Sequence, residues 1–404
     1  MELIHGDYGS VSLKDLIEPA EYYAENGFII NGTLAYRIEA GGDMLSSYSA
    51  LTDNNGNLLT EGATLVQPEL AATLRTIQSE GAKAFYSGSI AQDIAAQTDL
   101  SLDDLASYHV NKRTALQGSF NGYTVYGAGV PLSGVVLIQM LEMAEKLNIA
   151  DPKKDSQAYL SDLKKLTEAA YSDRYYTVTD PDFYEDGTDV SAYEQNLISE
   201  EYINYLLRDT STDVQNYDKE SPETTSFSVV DSNGLVVCAT NTLSSFWGCQ
   251  QMVDGFFLNN TNTNFSSNGV NRYEAGKRSR TFTAPTIITG PDDYVVALGT
   301  PGGNNIPSIL FNTIVDVIRF KEDPQEEVTK SRIMYRDGYL TVEVDESGGT
   351  WLDLSQISEP VIWRDSGYWW GSVALAGYSD TEGAFAAYDY RRGATKAGVY
   401  NPDN

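Results

Sequence analysis

Two adjacent threonines open the segment ETTSFSVVDSNG (residues 223–234), and their hydroxyl groups could act in nucleophilic catalysis. The segment is typical of a strand that ends in a tight turn. A two-residue turn would place Leu243 opposite Thr224, and a four-residue turn would place Asn241 there, so Thr242 lies beside Thr224 in either register. Such a hydroxyl pair fits a nucleophile with the group that orients it. It fits a cross-strand threonine pair as well, and spacing alone does not decide.

A glycine pair in GTPGGNNIPSIL (residues 299–310) could stabilise negative charge on a reacting oxygen atom. Gly302 and Gly303 lie between a predicted strand and a predicted helix, where backbone N–H groups can point in the same direction. The helix N-terminus adds positive potential, so the segment can form an oxyanion site without side chains. The alternative is a turn that only requires flexible residues. The segment lacks the lysine of a phosphate-binding loop.

The histidine content argues against the common nucleophilic triads. His5 and His109 are the two histidines of the chain, and neither lies near a serine-nucleophile signature. A Ser-His-Asp or Cys-His enzyme needs a histidine base within hydrogen-bond reach of its nucleophile. Ser133, in PLSGVV, is a weaker candidate because it lacks the G-x-S-x-G pattern. We therefore expect a base other than histidine if the chain is hydrolytic.

The composition excludes several classes of function. The chain has 404 residues, with 57 acidic and 27 basic side chains and a formal net charge of −30. Such a surface repels phosphate backbones, so we expect no nucleic-acid partner. No apolar run is long enough to span a membrane, and the first residues, MELIHGDYGS, lack the features of a signal peptide. Cys238 and Cys249 are too few for a disulfide framework or a zinc site.

The periodicity divides the chain into a helical first part and a strand-rich second part. Residues 12–110 are predicted to be mostly helical, with Ser12 and Ser101 as N-caps. A hairpin around FNGY and helices near 134–147 and 156–171 follow, and residues 208–223 are predicted to form an exposed, mobile segment. Residues 224–300 are mostly strand, and a helix at about 306–320 precedes further strands. This order predicts an α+β fold.

Five motifs of the second part, taken in order, resemble the γ-glutamyltransferase family. They are TTSFSVVDSNG, TNTLSSFWG, FFLNN with NFSS, KRSRTFTAPTI and GTPGGNNI, and the upstream segments FYSGSIAQDIA and DPDF are similar to the family as well. The resemblance implies a four-layer αββα sandwich of the N-terminal nucleophile hydrolase type. It also implies that a precursor cuts itself before Thr224, so that residues 1–223 and 224–404 correspond to a large and a small subunit. The freed α-amino group, with a pKa of about 7.7–8.0, would then act as the general base.

The resemblance assigns roles to individual residues. Thr224 matches the nucleophile, Thr242 matches the threonine that hydrogen-bonds to it, and Gly302 and Gly303 match the oxyanion-hole pair. The resemblance also implies five substrate-binding positions. Thr281 falls on a serine of the family, Phe282 replaces the neighbouring serine, and Ser244 replaces an asparagine. Asn260 belongs to the LNN motif, and Asn264 falls where many members have an aspartate that holds the α-ammonium group of the substrate.

The chain also departs from the family pattern. The family's large subunit normally begins upstream of YGSVSL, so we expect the sandwich to lack the usual N-terminal portion, which carries an arginine that clamps the α-carboxylate. The substitutions at the positions that bind the glutamyl head group alter this part of the site, and the short stretch between Ser266 and Lys277 leaves no room for a lid loop. Both features are similar to the capsule-depolymerase branch of the family, which acts on poly-γ-glutamate. Arg391 and Arg392, in DYRRG, are candidates for binding carboxylates. The alternative is a surface pair.

The resemblance therefore implies a γ-glutamyl hydrolase or transferase that forms an acyl-enzyme on Thr224, with the two self-cleaved pieces remaining associated. The expected donor is glutathione or another γ-glutamyl compound, and poly-γ-glutamate is the alternative. A hypothesis of a different class is a non-catalytic remnant that needs a partner segment. The resemblance also implies an extracellular, cell-surface or periplasmic location, and it implies no metal ion and no other cofactor.

Overall fold

The computed structural model describes residues 1–208, 223–336, 338–345, 347–355, 357, 359–393 and 397–399. Among these residues the helices are α1 (Glu2–Tyr8), α2 (Leu13–Asn26), α3 (Gly32–Gly41), α4 (Pro68–Glu80), α5 (Lys83–Ser87), α6 (Ser89–Gln97), α7 (Leu102–Ser107), α8 (Gly134–Leu147), α9 (Ser156–Thr177), α10 (Val190–Leu197), α11 (Glu200–Arg208), α12 (Ile306–Ile314) and α13 (Pro324–Thr329). The strands are β1 (Phe28–Ile29), β2 (Thr64–Leu65), β3 (Leu116–Phe120), β4 (Tyr123–Gly127), β5 (Thr224–Val230), β6 (Val236–Thr242), β7 (Met252–Val253), β8 (Phe256–Phe257), β9 (Thr286–Thr289), β10 (Val295–Gly299), β11 (Ile333–Arg336), β12 (Tyr339–Val344), β13 (Val361–Asp365), β14 (Ala374–Ser379) and β15 (Gly383–Ala387). Most of the predicted segment at 208–223, namely residues 209–222, lies outside the described residues.

The chain divides into two compact units. Residues 1–112 and 246–260 form the smaller unit, and residues 113–245 and 261–404 form the larger one. The smaller unit contains α1–α7 and the short hairpins β1–β2 and β7–β8. Its predicted N-caps are confirmed, because Ser12 accepts a hydrogen bond from the N–H of Asp15 and Ser101 forms a capping box with Asp104.

A six-stranded antiparallel sheet is the centre of the larger unit. Its strand order is β15-β14-β10-β9-β4-β3. Helix α8 packs on β3 and β4, and it also contacts α9 and α12. The approach is close, since a Cβ added to Gly127 of β4 would lie 3.2 Å from the Cα of Gly134 in α8. Val296 and Leu298 of β10 are buried in the same hydrophobic core as these helices. Helices thus cover one face of an antiparallel sheet, and the α+β prediction is confirmed.

The hairpin β5–β6 packs on this sheet as a second β-layer. A Cβ added to Gly299 of β10 would lie 2.2 Å from Ser226 Oγ and 3.1 Å from Cys238 Sγ. On the outer face of the hairpin, Phe227 and Val229 are 38% and 50% exposed. The described part of the larger unit therefore contains a helical layer, a six-stranded layer and a two-stranded layer, in the order that an αββα sandwich requires.

A three-stranded sheet completes the larger unit. Its order is β11-β12-β13, with β11 antiparallel and β13 parallel to β12. Helix α9 packs against β11. Strand β13 lies at the edge, and every residue from Ile362 to Asp365 is exposed. This exposed strand leads into a short 3-10 turn at Tyr368–Trp370.

Candidate active site

The hairpin places the two candidate threonines directly opposite each other. Thr224 pairs with Thr242, and their Oγ1 atoms are 3.4 Å apart. The prediction that Thr242 lies beside Thr224 is therefore confirmed. Both predicted registers are wrong by one residue, because they placed Leu243 or Asn241 opposite Thr224.

The turn explains this register. Asp231 N donates a hydrogen bond to Leu235 O, so the loop contains the three residues Ser232–Gly234 instead of two or four. The carboxylate of Asp231 accepts from the N–H groups of Asn233 and Leu235, both at 2.8 Å. Gly234 adopts a φ of 85°, as the last residue of a three-residue hairpin loop usually does. An odd loop length shifts the pairing by one residue relative to either prediction.

The hydroxyl of Thr242 links the candidate nucleophile to the peptide bond before it. Thr224 is 5% exposed, and its hydroxyl donates to Thr242 Oγ1. Thr242 Oγ1 donates to the carbonyl oxygen of Glu223 at 3.3 Å and accepts from the N–H of Ser244 at 2.9 Å. Because a hydroxyl carries one proton, this arrangement directs the Thr242 proton toward the Glu223 carbonyl.

Ser244 and Asn264, two of the predicted substrate-binding residues, continue this hydrogen-bonded row. Ser244 is 2% exposed, has a φ of 72°, and donates from Oγ to Asn264 Oδ1 at 3.0 Å. The carbonyl oxygen of Asn264 accepts from Asn271 Nδ2 at 2.8 Å. Asn264 is 8% exposed, and its Nδ2 is a buried donor that has no partner among the described residues. Since a buried unpaired donor is costly, this amide suits a bound acceptor.

Gly302 and Gly303 form the turn between β10 and α12. Their φ values are 150° and 56°, which residues with a side chain rarely adopt. A Cβ on Gly302 would also lie 3.1 Å from Ile309 Cδ1. The turn precedes the N-terminus of α12, where backbone N–H groups can stabilise an oxyanion. The role of the two glycines as an oxyanion hole stays a prediction.

Side chains that the sequence analysis did not identify hold this turn. Tyr171 Oη donates to the carbonyl oxygen of Asn304 at 2.8 Å. Arg336 Nη1 donates to Asn305 Oδ1 at 3.0 Å, and Asn305 Nδ2 donates to the carbonyl oxygen of Trp369 at 3.2 Å. Burial raises the pKa of Tyr171 to about 12, so its hydroxyl stays protonated near neutral pH. Tyr171 lies in a long helix far from the turn in sequence, and no motif marks it.

The glycine turn and Thr224 lie at the same end of the two stacked sheets. Strand β10 ends at Gly299, which contacts Ser226 near the beginning of β5. Gly302 follows Gly299 by three positions, and Thr224 precedes Ser226 by two. Stacking of the sheets therefore brings two predicted catalytic elements to one edge, although they are far apart in sequence.

Arg392 contacts the candidate nucleophile. Its Nη1 donates to the carbonyl oxygen of Thr224 at 3.1 Å, and its Nη2 donates to the carbonyl oxygen of Tyr368 at 3.0 Å. The guanidinium lies 3.7 Å from the centroid of the Tyr368 ring. The 3-10 turn that contains Tyr368 ends at Gly371, which packs on the glycine turn: a Cβ added to Gly371 would lie 2.4 Å from the carbonyl oxygen of Pro301. Arg392 is therefore part of the site, and carboxylate binding by it stays a prediction.

Arg391 is a core residue, which contradicts both its predicted role in binding carboxylates and the alternative of a surface pair with Arg392. Its Nε and Nη2 each donate to the carboxylate of Glu343 at 2.7 Å, and its Nη1 donates to Asp389 at 3.0 Å. The remaining N–H groups bond to the carbonyl oxygens of Val328 and Lys330. All five donors of the guanidinium are thus used within the protein. Arg391 is neither on the surface nor free to bind a substrate carboxylate.

Phe282 is a core residue as well, and its predicted contact with substrate stays a prediction. It is 1% exposed, stacks on Tyr171 with ring centroids 5.7 Å apart, and lies 3.5 Å from the guanidinium carbon of Arg174. Neighbouring Thr281 is half-buried, and its carbonyl oxygen accepts from Ser133 Oγ at 2.8 Å. Ser133 is fully buried, which contradicts the weak alternative of a serine nucleophile there. A substrate contact of Thr281 stays a prediction.

The other predictions about the site concern Asn260, metal ions and the membrane. Asn260 is the last residue of the smaller unit, and its predicted role stays a prediction. In the described part of the chain, no three His, Cys, Asp or Glu side chains are arranged to hold a metal ion. No helix in that part combines the length and the apolar character needed to cross a bilayer.

Comparison with known proteins identifies the family. The family model described as gamma-glutamyltranspeptidase matches residues 1–399. The capsule biosynthesis protein CapD proenzyme of Bacillus anthracis is 37% identical over 357 residues, which cover 88% of this chain and 66% of that protein. The glutathione hydrolase proenzyme of Bacillus subtilis (strain 168) is 30% identical over 356 residues, which cover 81% of this chain and 61% of that protein. The chain thus spans less than two thirds of the length of these relatives.

A solved structure supports the fold. The crystal structure of cephalosporin acylase from Bacillus halodurans has a TM-score of 0.81 and 22% identity, and it covers 96% of this chain and 74% of that one. The predicted N-terminal nucleophile hydrolase fold is confirmed by this likeness together with the family match. The match over residues 1–399 shows that the chain belongs to the gamma-glutamyltranspeptidase family, as its five motifs predicted.

Proposed function

We propose that this chain cuts itself between Glu223 and Thr224 and then hydrolyses or transfers γ-glutamyl groups through an ester on Thr224. The observation that carries the proposal is the row of groups from the Thr224 hydroxyl through Thr242 to the carbonyl oxygen of Glu223. Membership of the gamma-glutamyltranspeptidase family supports it. The scarcity of histidine also supports it, because this chemistry needs no histidine base.

In the proposed cleavage, Thr224 Oγ1 attacks the carbonyl carbon of Glu223. The peptide C–N bond breaks, an ester bond forms, and the hydroxyl proton passes to the leaving nitrogen. The Thr242 hydroxyl, 3.3 Å from the carbonyl oxygen, stabilises the oxyanion that forms. Water then hydrolyses the ester, which releases the Glu223 carboxylate and leaves Thr224 with a free α-amino group.

In the proposed turnover, this amino group removes the proton of Thr224 Oγ1, since a pKa of about 7.7–8.0 suits a base at neutral pH. Oγ1 attacks the γ-carbonyl carbon of the donor, and the N–H groups at Gly302 and Gly303 stabilise the oxyanion. The leaving amine takes the proton, and an ester remains on Thr224. Water then releases the γ-glutamyl group from the ester as a free carboxylate, or an amine acceptor takes it.

Asn264 favours a γ-linked polymer as the donor. The α-ammonium group of a free γ-glutamyl head is best held by a charged acceptor, but Asn264 offers only a neutral carbonyl oxygen, which also accepts from Ser244. The unpartnered Nδ2 is a donor, which suits the amide carbonyl attached to an interior residue of the polymer. The 37% identity to a capsule biosynthesis protein supports the same choice. Poly-γ-glutamate is therefore our preferred donor, and glutathione or another γ-glutamyl compound is the alternative. We place the reaction outside the cytoplasm.

A non-catalytic chain that needs a partner segment is the second candidate. The exposure of Phe227 and Val229 on the outer face of the β5–β6 hairpin favours it, because a sandwich normally covers such a face. In that case Thr224 and Thr242 would be a structural cross-strand pair.

The deciding experiment compares the wild type with Thr224→Ala and Thr225→Ala. Thr225 is the matched control, because it is the adjacent threonine but is exposed. We expect the wild type and Thr225→Ala to separate into two pieces on a denaturing gel, with a new N-terminus that begins at Thr224 and reads TTSFS or TASFS. Thr224→Ala should remain a single chain and release no amine from a γ-glutamyl anilide. An uncut wild type without activity would contradict the proposal and favour the second candidate.

A further inference from the structure

A group of arginine and aromatic side chains lies beside the site. Trp369 has two guanidinium groups near its ring, with the Cζ atoms of Arg364 and Arg336 at 4.4 Å and 5.8 Å from the ring centroid. The adjacent Tyr368 ring carries the guanidinium of Arg392 at 3.7 Å. We call these five residues the arginine–aromatic platform.

The platform is fixed to the catalytic elements by hydrogen bonds. Arg392 donates to the carbonyl oxygen of Thr224, and Arg336 donates to Asn305, which follows the glycine turn by two positions. Asn305 in turn donates to the carbonyl oxygen of Trp369. Next to Trp369, the side chain of Trp370 is fully buried and donates from Nε1 to Asp365 O at 3.1 Å. The platform therefore has a rigid base and extends outward from the Thr224 site.

The platform is a local concentration of positive charge on a strongly acidic protein. The net charge of −30 repels an anionic ligand over most of the surface. The buried arginines of the same region, Arg332 and Arg391, are neutralised by Asp389 and Glu343. Arg364 is exposed on edge strand β13, and it has no ion-pair partner among the described residues. Arg364 thus places a positive charge on an exposed strand edge.

We infer that the platform is a subsite for the free α-carboxylates of a γ-linked glutamyl polymer, with Arg364 as its outer residue. A planar guanidinium binds a carboxylate through two parallel hydrogen bonds, and a ring beneath it holds the fork in place. The Trp369 ring also offers an apolar surface to the methylene groups between successive carboxylates. A polymer residue beyond the scissile bond carries a free α-carboxylate that can reach the platform. A γ-glutamyl anilide has no carboxylate on that side of the scissile bond. The inference rests on the proposed function.

The test is the ratio of kcat/KM for poly-γ-glutamate to kcat/KM for a γ-glutamyl anilide. Loss of one charge-assisted hydrogen-bonded contact should lower this ratio about tenfold in Arg364→Gln, mostly through the KM for the polymer. Arg364→Lys, which keeps the charge but not the fork, should give an intermediate ratio. Arg319→Gln is the matched control, because it removes the same charge at a residue whose Nη2 bonds to Asn148 in the same unit. It should leave the ratio unchanged.

Two results would overturn the inference. An unchanged ratio in Arg364→Gln would mean that the platform does not bind the polymer, and an equal fall for both substrates would mean that it only supports the site. If the wild type turned over neither substrate, the proposed function would fail first. The inference would then be judged by calorimetric titration of the intact wild type and Arg364→Gln with poly-γ-glutamate. Weaker binding by Arg364→Gln would support it, and equal or absent binding would refute it.

Discussion

At the scale of single residues, the position of one hydroxyl decides what Thr224 can do. Thr242 Oγ1 lies between Thr224 Oγ1, the carbonyl oxygen of Glu223 and the N–H of Ser244. A hydroxyl can accept and donate at the same time, so one side chain can orient the proposed nucleophile and polarise the peptide bond that the proposed cleavage breaks. Ser244 has a left-handed backbone conformation and donates from its hydroxyl to Asn264, so the row extends to another predicted substrate-binding residue.

Asn264→Asp should change the preference between donors. A carboxylate at this position offers full negative charge to a free α-ammonium group, and charge-assisted hydrogen bonds are roughly twice as strong as neutral ones. An interior polymer residue has no such charge and loses the amide donor. We therefore expect kcat/KM for a γ-glutamyl anilide to rise relative to that for poly-γ-glutamate. Steady-state kinetics with both substrates give the ratio, and an unchanged ratio would show that residue 264 does not contact the head group.

At the scale of elements, the turn between β10 and α12 needs a backbone conformation that few residues tolerate. Gly302 and Gly303 both have positive φ values. Hydrogen bonds from Tyr171 to the carbonyl oxygen of Asn304 and from Arg336 to the side chain of Asn305 hold the residues that follow them. Such bracing fixes the direction of backbone N–H groups before a substrate arrives. Preorganised donors are effective in catalysis because they do not need to reorient during the reaction.

Gly303→Val should damage catalysis more than folding. A β-branched residue disfavours a φ of 56° and should rotate the peptide groups of the turn. Loss of one oxyanion donor typically lowers kcat by about 10²–10³-fold. Gly338→Val is the control, since that glycine also has a positive φ, of 79°, and an added Cβ meets nothing within 4 Å. Full γ-glutamyl release by Gly303→Val would mean that the loop is only a turn.

At the scale of the whole molecule, the proposed cut does not follow a structural boundary. The sheet joins strands from both proposed pieces, because β4 precedes residue 223 and pairs with β9, which follows it. Helices α8 and α9 of the first piece share a hydrophobic core with α12 of the second. The compact units likewise divide at other positions than 223/224. The two pieces, 1–223 and 224–404, are therefore predicted to be interleaved instead of forming separate domains.

The cleaved protein should therefore remain one particle under native conditions. Separation of the pieces would break the β4–β9 ladder and expose the shared hydrophobic core to water, which is unfavourable. We expect one peak on size-exclusion chromatography and two bands from that peak on a denaturing gel. Pieces that elute separately in native buffer would contradict this expectation.

The sequence by itself determined the features that depend on local signals. The alternation of apolar residues and the turn residues at 231–234 identified the hairpin and hence the proximity of Thr224 and Thr242. Glycines between a strand and a helix marked the turn at 302–303, and serine N-caps marked helix ends. The order of helices and strands predicted the α+β fold, and the order of five motifs predicted the family. The hairpin, turn and cap signals each lie within a few residues of the feature that they specify, and the fold class and the family follow from the order of such local signals along the chain.

Only the tertiary structure decided the hairpin register and the features that depend on packing between distant segments. The register differed by one residue because the side chain of Asp231 closes a three-residue loop, a choice that turn composition does not specify. The adjacent arginines of DYRRG have different environments. Arg391 is buried and paired with Glu343 and Asp389, whereas Arg392 donates to the carbonyl oxygen of Thr224. Burial is set by which elements pack over a side chain, and residue type does not show it. For the same reason the sequence could not connect Tyr171 and Arg336 to the glycine turn that they hold.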